Sequence, residues 1–183
     1  MNRSFKYPLL IMTLLAIMVF MTTACGNAGN SDQTTDAGSK TMNKGSTAPQ
    51  FDLEDLKGNK MALAEYAGQK VYVKFWASWC SICLAGLDEL NTLSNQKNKF
   101  QVITIVSPDF RGELSAEDFT KWFKKQKMDN ITVLLDHDGI WMQKYGVRGY
   151  PTSTYIGSDG VLVKSTPGHS SNEIITQNFK NIK

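Results

Sequence analysis

Two hydrophobic periods alternate along residues 47–183. Short β-branched and aromatic runs at 71–76, 102–106, 131–135, 152–156 and 161–163 predict strands. Elsewhere apolar residues recur every three or four positions, the helical period. Leu84, Leu87, Leu90 and Leu93 predict a helix over 80–96. Phe119, Trp122 and Phe123 predict another, which starts at an acidic cap formed by Ser115, Glu117 and Asp118 and runs to about residue 127. A short helix is expected near 140–145. The last helix, capped by Ser170 to Glu173, would cover the sheet with Ile174, Ile175, Phe179 and Ile182. Lys57-Gly58-Asn59 and Ser158-Asp159-Gly160 are turn signals, so 51–55 with 61–63, and 152–156 with 161–163, read as hairpins. Alternating βα units that finish in a hairpin and a helix imply an α/β fold: a central mixed β-sheet with helices on both faces and an N-terminal β-hairpin. No internal repeat is evident.

Upstream the pattern changes. Residues 1–7 carry Arg3 and Lys6 and no acid, and 9–21 are apolar except for Thr13. That run falls short of the about 20 residues a spanning helix needs and fits the apolar centre of an export signal. It ends in Thr22-Thr23-Ala24-Cys25-Gly26 and turns abruptly polar, which is similar to a bacterial lipoprotein signal whose cysteine, here Cys25, is lipidated and becomes the first residue. The competing reading is an uncleaved N-terminal anchor with an incidental Cys25. Either one tethers the chain to a membrane, since a multiply acylated cysteine supplies the two-chain anchoring that one chain cannot. Residues 27–46 are rich in Gly, Ser, Thr, Asn, Asp and Lys, with Met42 as the only large apolar residue. Such a stretch cannot offset its ordering entropy and is expected to be a flexible tether with a reach of about 25 Å. The expected organisation is therefore a signal at 1–24, a tether at 25–46 and one domain at 47–183, long enough to bury a core.

Charge removes one class of function. The chain has 20 Lys and Arg against 17 Asp and Glu, and two of the excess cations, Arg3 and Lys6, lie in the leader. The remaining near-neutral balance gives no reason to expect nucleic acid as a partner. The chain has three cysteines. Besides Cys25, the other two share one motif, so a multi-disulfide scaffold is not expected.

That motif, Trp79-Cys80-Ser81-Ile82-Cys83, lies where the 71–76 strand gives way to the leucine-spaced helix. Both sulfurs therefore belong at or near a helix N-terminus. Unpaired N–H groups and the positive end of the dipole stabilise a thiolate there, and the thiolate is the form that attacks a disulfide. Cys80 is the candidate nucleophile. Cys83, one turn on, is within reach to resolve a mixed disulfide on Cys80, so the pair can cycle between dithiol and disulfide.

The Phe75-to-Cys83 run FWASWCSIC, the upstream Thr47-Ala48-Pro49-Gln50-Phe51-Asp52-Leu53 and the downstream Gly149-Tyr150-Pro151-Thr152 together resemble the extracytoplasmic thioredoxin-like proteins, the TlpA and ResA-like branch of the thioredoxin superfamily. The resemblance covers residues 47–183 and implies a thioredoxin-like fold. It implies that Pro151 is cis and lies beside the two cysteines, with Tyr150 offering backbone hydrogen bonds to an extended client segment. Trp79, before the nucleophile, would either shield the active-site surface or pack without touching a client. It also implies a membrane-tethered extracytoplasmic disulfide reductase with no cofactor beyond the Cys80–Cys83 pair. Electrons would come from a CcdA or DsbD-like membrane protein. Clients would be exported proteins, for example a methionine sulfoxide reductase or apocytochrome cysteines.

The chain departs from that pattern at several positions. Lys74 occupies the strand position where cytoplasmic thioredoxins carry a buried acid, so that proton acceptor is missing. Gly86 stands where the branch commonly has a glutamate; nearby Asp88 and Glu89 point to different helix faces and read as solvated surface acids. Ile82 replaces a common proline. Two other functions use the same thiols. One is copper binding or delivery, since soft thiolates suit Cu(I). The other is thiol peroxidase activity, which the Trp79 directly before the first thiol argues against. Zinc fits less well, because His137 and His169 lie far along the chain without ligand spacing and read as surface residues.

Overall fold

The computed structural model describes residues 42–183, and the expected signal, Cys25 and most of the expected tether lie outside them. Among the described residues eight strands form one sheet. They are β1 (Ser46–Thr47), β2 (Asp52–Asp55), β3 (Lys60–Ala62), β4 (Val71–Phe75), β5 (Gln101–Val106), β6 (Val133–Leu135), β7 (Thr152–Ile156) and β8 (Val161–Pro167). Their order is β1-β8-β7-β4-β5-β6-β2-β3. β4 pairs parallel with β5, and β5 with β6, while the remaining pairs are antiparallel. The sheet is mixed, as expected, and the β2–β3 hairpin closes one edge.

Among the described residues five α-helices accompany it: α1 (Ser81–Ala85), α2 (Leu87–Ser94), α3 (Ala116–Lys125), α4 (Ile140–Lys144) and α5 (Asn172–Asn181). Strand alternation assigns the faces. Val71, Val73 and Phe75 pack with Ile103, Ile105, Met142 and Tyr145 on the α4 side. Tyr72 and Trp76 pack on the other side with Cys83, Leu87, Leu90, Phe119, Phe123, Ile175 and Phe179, from α1, α2, α3 and α5. Trp76 and Phe119 meet edge to face, centroids 5.7 Å apart. Burial of each such side chain contributes about 1.5–3 kcal/mol.

Three expectations need correction. The leucine-spaced helix is two helices, broken at Gly86, which ends α1 and opens α2. The break turns Leu84 outward to 37% exposure while Leu87, Leu90 and Leu93 stay buried. Ile174 does not cover the sheet: it is 51% exposed, and Ile175, Phe179 and Ile182 do that work. Finally, Met42 and Asn43, the first described residues, are already held against the domain, although the flexible stretch was expected to run to residue 46. Asp159 accepts hydrogen bonds from the Met42 and Asn43 amides, each at 2.8 Å, and β1 pairs with β8. A polar sequence carries no periodicity to announce a strand held by backbone bonds.

Candidate active site

The chain leaves β4 through Trp76 and Ala77, both buried, and turns at Cys80, whose amide donates to the Ala77 carbonyl at 3.2 Å. Cys80 caps α1, and its sulfur accepts the Cys83 amide at 3.2 Å. Cys80 and Cys83 form a disulfide with a Cα–Cα separation of 5.2 Å. An N–H directed at the Cys80 sulfur would stabilise its thiolate after reduction. The two cysteines are unequal: Cys80 keeps 7% exposure and Cys83 has none. Trp79 and Ile82, at 54% and 58%, are the exposed apolar residues beside Cys80.

The Tyr150–Pro151 bond is cis. Pro151 feeds into Thr152, which pairs with Phe75 at the end of β4 that leads to Cys80, so the proline loop and the sulfurs share one end of the sheet. Trp79 and Tyr150 meet edge to face at 5.9 Å, bringing two of the expected client-contact residues together. The Tyr150 hydroxyl donates to the Met142 sulfur at 3.0 Å, and burial raises its pKa above the usual phenol value. The Gly168 amide donates to the Pro151 carbonyl and the Thr152 hydroxyl to the Gly149 carbonyl, each at 2.8 Å, which fixes the loop from both sides.

One residue of the site has no signal in the local sequence. Glu113 lies in the loop between β5 and α3, is 7% exposed, and accepts from the Ser78 amide at 2.6 Å, the Ser78 hydroxyl, and its neighbour Leu114's amide at 2.7 Å. It ties that loop to the turn before Cys80. Asp109, Arg111 and Gly112 in the same loop all have positive φ, and the Arg111 guanidinium reaches the Arg148 carbonyl at 2.8 Å, joining the loop to the segment that leads to Pro151.

Behind the disulfide, Lys74 is 2% exposed and stands between Tyr72 and Trp76 on the face covered by α1 and α2. Burial pulls its pKa down to about 8, against which the negative charge of Glu89 acts. Glu89 is therefore not the free surface acid its sequence suggested. One of its oxygens pairs with His169 Nε2 at 3.2 Å, and the other accepts the Asn172 amide at 2.8 Å. Asp88 is exposed, as is His137. Gly86 leaves room for this cluster: a Cβ there would stand 2.6 Å from the His169 ring and 3.6 Å from Lys74 Nζ.

Comparison with known proteins agrees with this geometry. The redoxin family model matches residues 43–182. An uncharacterized protein of Haemophilus influenzae is 52% identical over 118 residues, covering 64% of this chain and 76% of that protein. The thiol-disulfide oxidoreductase ResA of Bacillus subtilis is 30% identical over 150 residues, 80% of either chain. The crystal structure of the pneumococcal exposed lipoprotein thioredoxin Etrx1 from Streptococcus pneumoniae superposes with a TM-score of 0.70 at 41% identity, covering 73% of this chain and all of that one. A mixed sheet ending in a CxxC disulfide beside a cis-proline loop, with these relatives, shows that the chain belongs to the redoxin family, as a thioredoxin-like thiol-disulfide oxidoreductase of the TlpA/ResA kind.

Proposed function

We propose that the protein is a lipid-anchored reductase of disulfides in exported proteins, in which the Cys80 thiolate attacks the client and Cys83 resolves the mixed disulfide. The observation that carries this reading is the asymmetry of the pair: of the two cysteines only Cys80 keeps any exposure, and it shares its end of the sheet with the Trp79–Tyr150 contact and the cis-proline loop. An extended client segment can pair with that edge. The electrons travel through the two sulfurs alone, so no further cofactor is invoked.

The reducing direction, a CcdA or DsbD-like membrane donor, and clients such as a methionine sulfoxide reductase or an apocytochrome rest on the resemblance to the TlpA and ResA-like branch. Extracytoplasmic anchoring through Cys25 is supported by the leader pattern and by a 41%-identical relative described as an exposed lipoprotein. β1 and the Asp159 clasp lie at the Val71–Ile156 end of the sheet, opposite the Phe75–Thr152 end that carries the sulfurs. A chain anchored at Cys25 would therefore enter the domain on the side away from its active site. Copper delivery by the same two thiols is not favoured, since the relative with an assigned activity is a thiol-disulfide oxidoreductase.

Two variants test the reading. Cys80→Ser abolishes insulin disulfide reduction, and Cys83→Ser traps mixed disulfides with clients in cells, which identifies them. Insulin reduction that survives Cys80→Ser would overturn the role given to Cys80. Metabolic labelling with a fatty acid tests the anchor: label lost in Cys25→Ala supports it, and unchanged label removes it.

A further inference from the structure

The near-neutral total charge hides a separation of sign along the sheet. At the end that carries the sulfurs, Asp88 and Glu89 open α2, Glu117 and Asp118 open α3, and Glu173 opens α5, with Arg111 and Arg148 beside the Pro151 loop. The opposite, Val71–Ile156 end is rich in lysine. Lys57 lies on the β2–β3 turn, Lys97 and Lys99 on the connection from α2 to β5, and Lys124, Lys125 and Lys127 where α3 passes into β6. The strand order β5-β6-β2 sets these three connections side by side. All six lysines are exposed, and among the described residues none of them closes an ion pair. Lysine is favoured in the last turn of a helix, which accounts for Lys124 and Lys125 but not for Lys57, Lys97 and Lys99, which lie outside the helices. Of the acids at this end, Asp55 is held by the Lys57 and Asn59 amides and Asp159 by the Met42 and Asn43 amides, while Glu65 and Asp129 are exposed.

A groove of about 560 Å³ opens at this end between the β2–β3 hairpin and α3, with Lys57 and Lys124 in its walls and the half-buried Leu56, Met61 and Met128 among its apolar lining. Cations around an apolar floor suit an amphipathic anion. The chain also enters here, since the Asp159 clasp holds Met42 and Asn43 at the same end of the sheet. As the flexible tether its composition predicts, the stretch from Cys25 to Met42 would reach about 20–25 Å. A domain held at that distance by its lysine end can settle until the lysines come within the ~8–10 Å over which an anionic surface attracts them. We propose that this lysine-rich end is a docking surface for the anionic phospholipid headgroups of the membrane that anchors the chain, seating the domain with Cys80 and the Pro151 loop turned away from the bilayer. The orientation rests on the anchoring through Cys25 given above; the affinity of the lysines for anionic lipid does not. The attraction is electrostatic, so it is reversible and weakened by salt. A donor within the membrane would reach the sulfurs only while the lysines are released, so docking and re-reduction alternate.

The test is lysine footprinting of the full chain mixed with vesicles of phosphatidylcholine alone or of phosphatidylcholine with phosphatidylglycerol. A neutral acetylating reagent is added, and the rate at each lysine is read by mass spectrometry. Lys57, Lys97, Lys99 and Lys124 are expected to react about fivefold more slowly on the anionic vesicles and to recover in high salt. Lys144 on α4, which follows the site end of β6, is expected to react equally on both. Equal rates at the four lysines on the two vesicle types overturn the proposal, as does slowing that Lys144 shares. Slowing by polyglutamate but not by phosphatidylglycerol assigns the surface to an acidic protein and overturns it too. A chain with Lys57, Lys97, Lys99 and Lys124 all changed to Glu is expected to lose the slowing at Lys125 and Lys127 while reducing insulin at the unsubstituted rate; slowing that persists there contradicts the proposal. Flotation with the phosphatidylcholine vesicles reads the N-terminal anchor separately. Protein that floats with them but whose lysines ignore phosphatidylglycerol keeps the anchor and loses the docking surface, whereas protein that floats only with phosphatidylglycerol loses the anchor and keeps the surface.

Discussion

Glu113 accepts hydrogen bonds from both the amide and the hydroxyl of Ser78, 35 residues earlier and two before Cys80. A buried carboxylate with three donors fixes the turn that presents the nucleophile. Glu113→Gln turns an amide N–H toward one of those donors and leaves it unpaired. The expected loss is about 1–3 kcal/mol in urea unfolding. Insulin reduction is expected to slow by about tenfold, short of the ~100-fold that a 1 Å misplacement costs. Unchanged stability and rate would show that the clamp is dispensable.

Lys74 gives the fold a signature in alkali. Its pKa is lowered from 10.5 to about 8 by burial, so between these values the unfolded chain binds more protons than the folded one. Stability contributed by this group therefore rises with pH from about 8 to 10.5 and is lowest below that window. Lys74→Met removes the slope and is expected to stabilise the disulfide form at pH 7 by about 1–3 kcal/mol, as replacement of a poorly paired buried charge does. Denaturant unfolding at pH 7 and pH 9 checks both parts.

Asp159 behaves in the opposite sense. Partial burial would raise its pKa, but hydrogen bonds from the Asn43 side chain and from the Asn43, Met42 and Val161 amides outweigh this and hold it at about 2. A depressed folded value makes its contribution complete above the unfolded value near 3.8 and lost as pH falls through about 2. Asp159→Ala is expected to speed hydrogen exchange at the amides of residues 42–47 and to leave insulin reduction unchanged, because the clasp is at the far end of the sheet.

A methyl group at Gly86 would meet the His169 ring at 2.6 Å. Gly86→Ala is expected to displace the ring from Glu89 at a cost of about 1 kcal/mol. The His169 Cε1 proton shift, compared between the two proteins, reports whether the ring has moved.

The sequence made the sheet legible because β-branched runs and leucine spacing are local signals. Val71 to Phe75 and Thr152 to Ile156 are strands as read, and the cysteine pair and Pro151 lie together at their shared end. What stayed hidden depends on partners far along the chain. Leu84 continues the spacing of Leu87 and Leu90, so nothing apolar marks the break at Gly86; its lack of a side chain matters only because His169 packs there. Glu89 looks like a surface acid until His169 and Asn172 are brought to it, and Glu113 looks like a loop residue until Ser78 is. Met42 to Thr47 docks through backbone bonds and Asp159, which leave no trace in hydropathy.

The central claim is that Cys80 and Cys83 open and close as one two-electron couple that exchanges with a protein disulfide. Equilibrating the oxidised protein with dithiothreitol, alkylating, and measuring intact mass tests it most directly. The expected result is that two alkyl groups appear together and that the reduced protein then reduces insulin. A pair that stays closed in dithiothreitol, or a dithiol that leaves insulin intact, would contradict it.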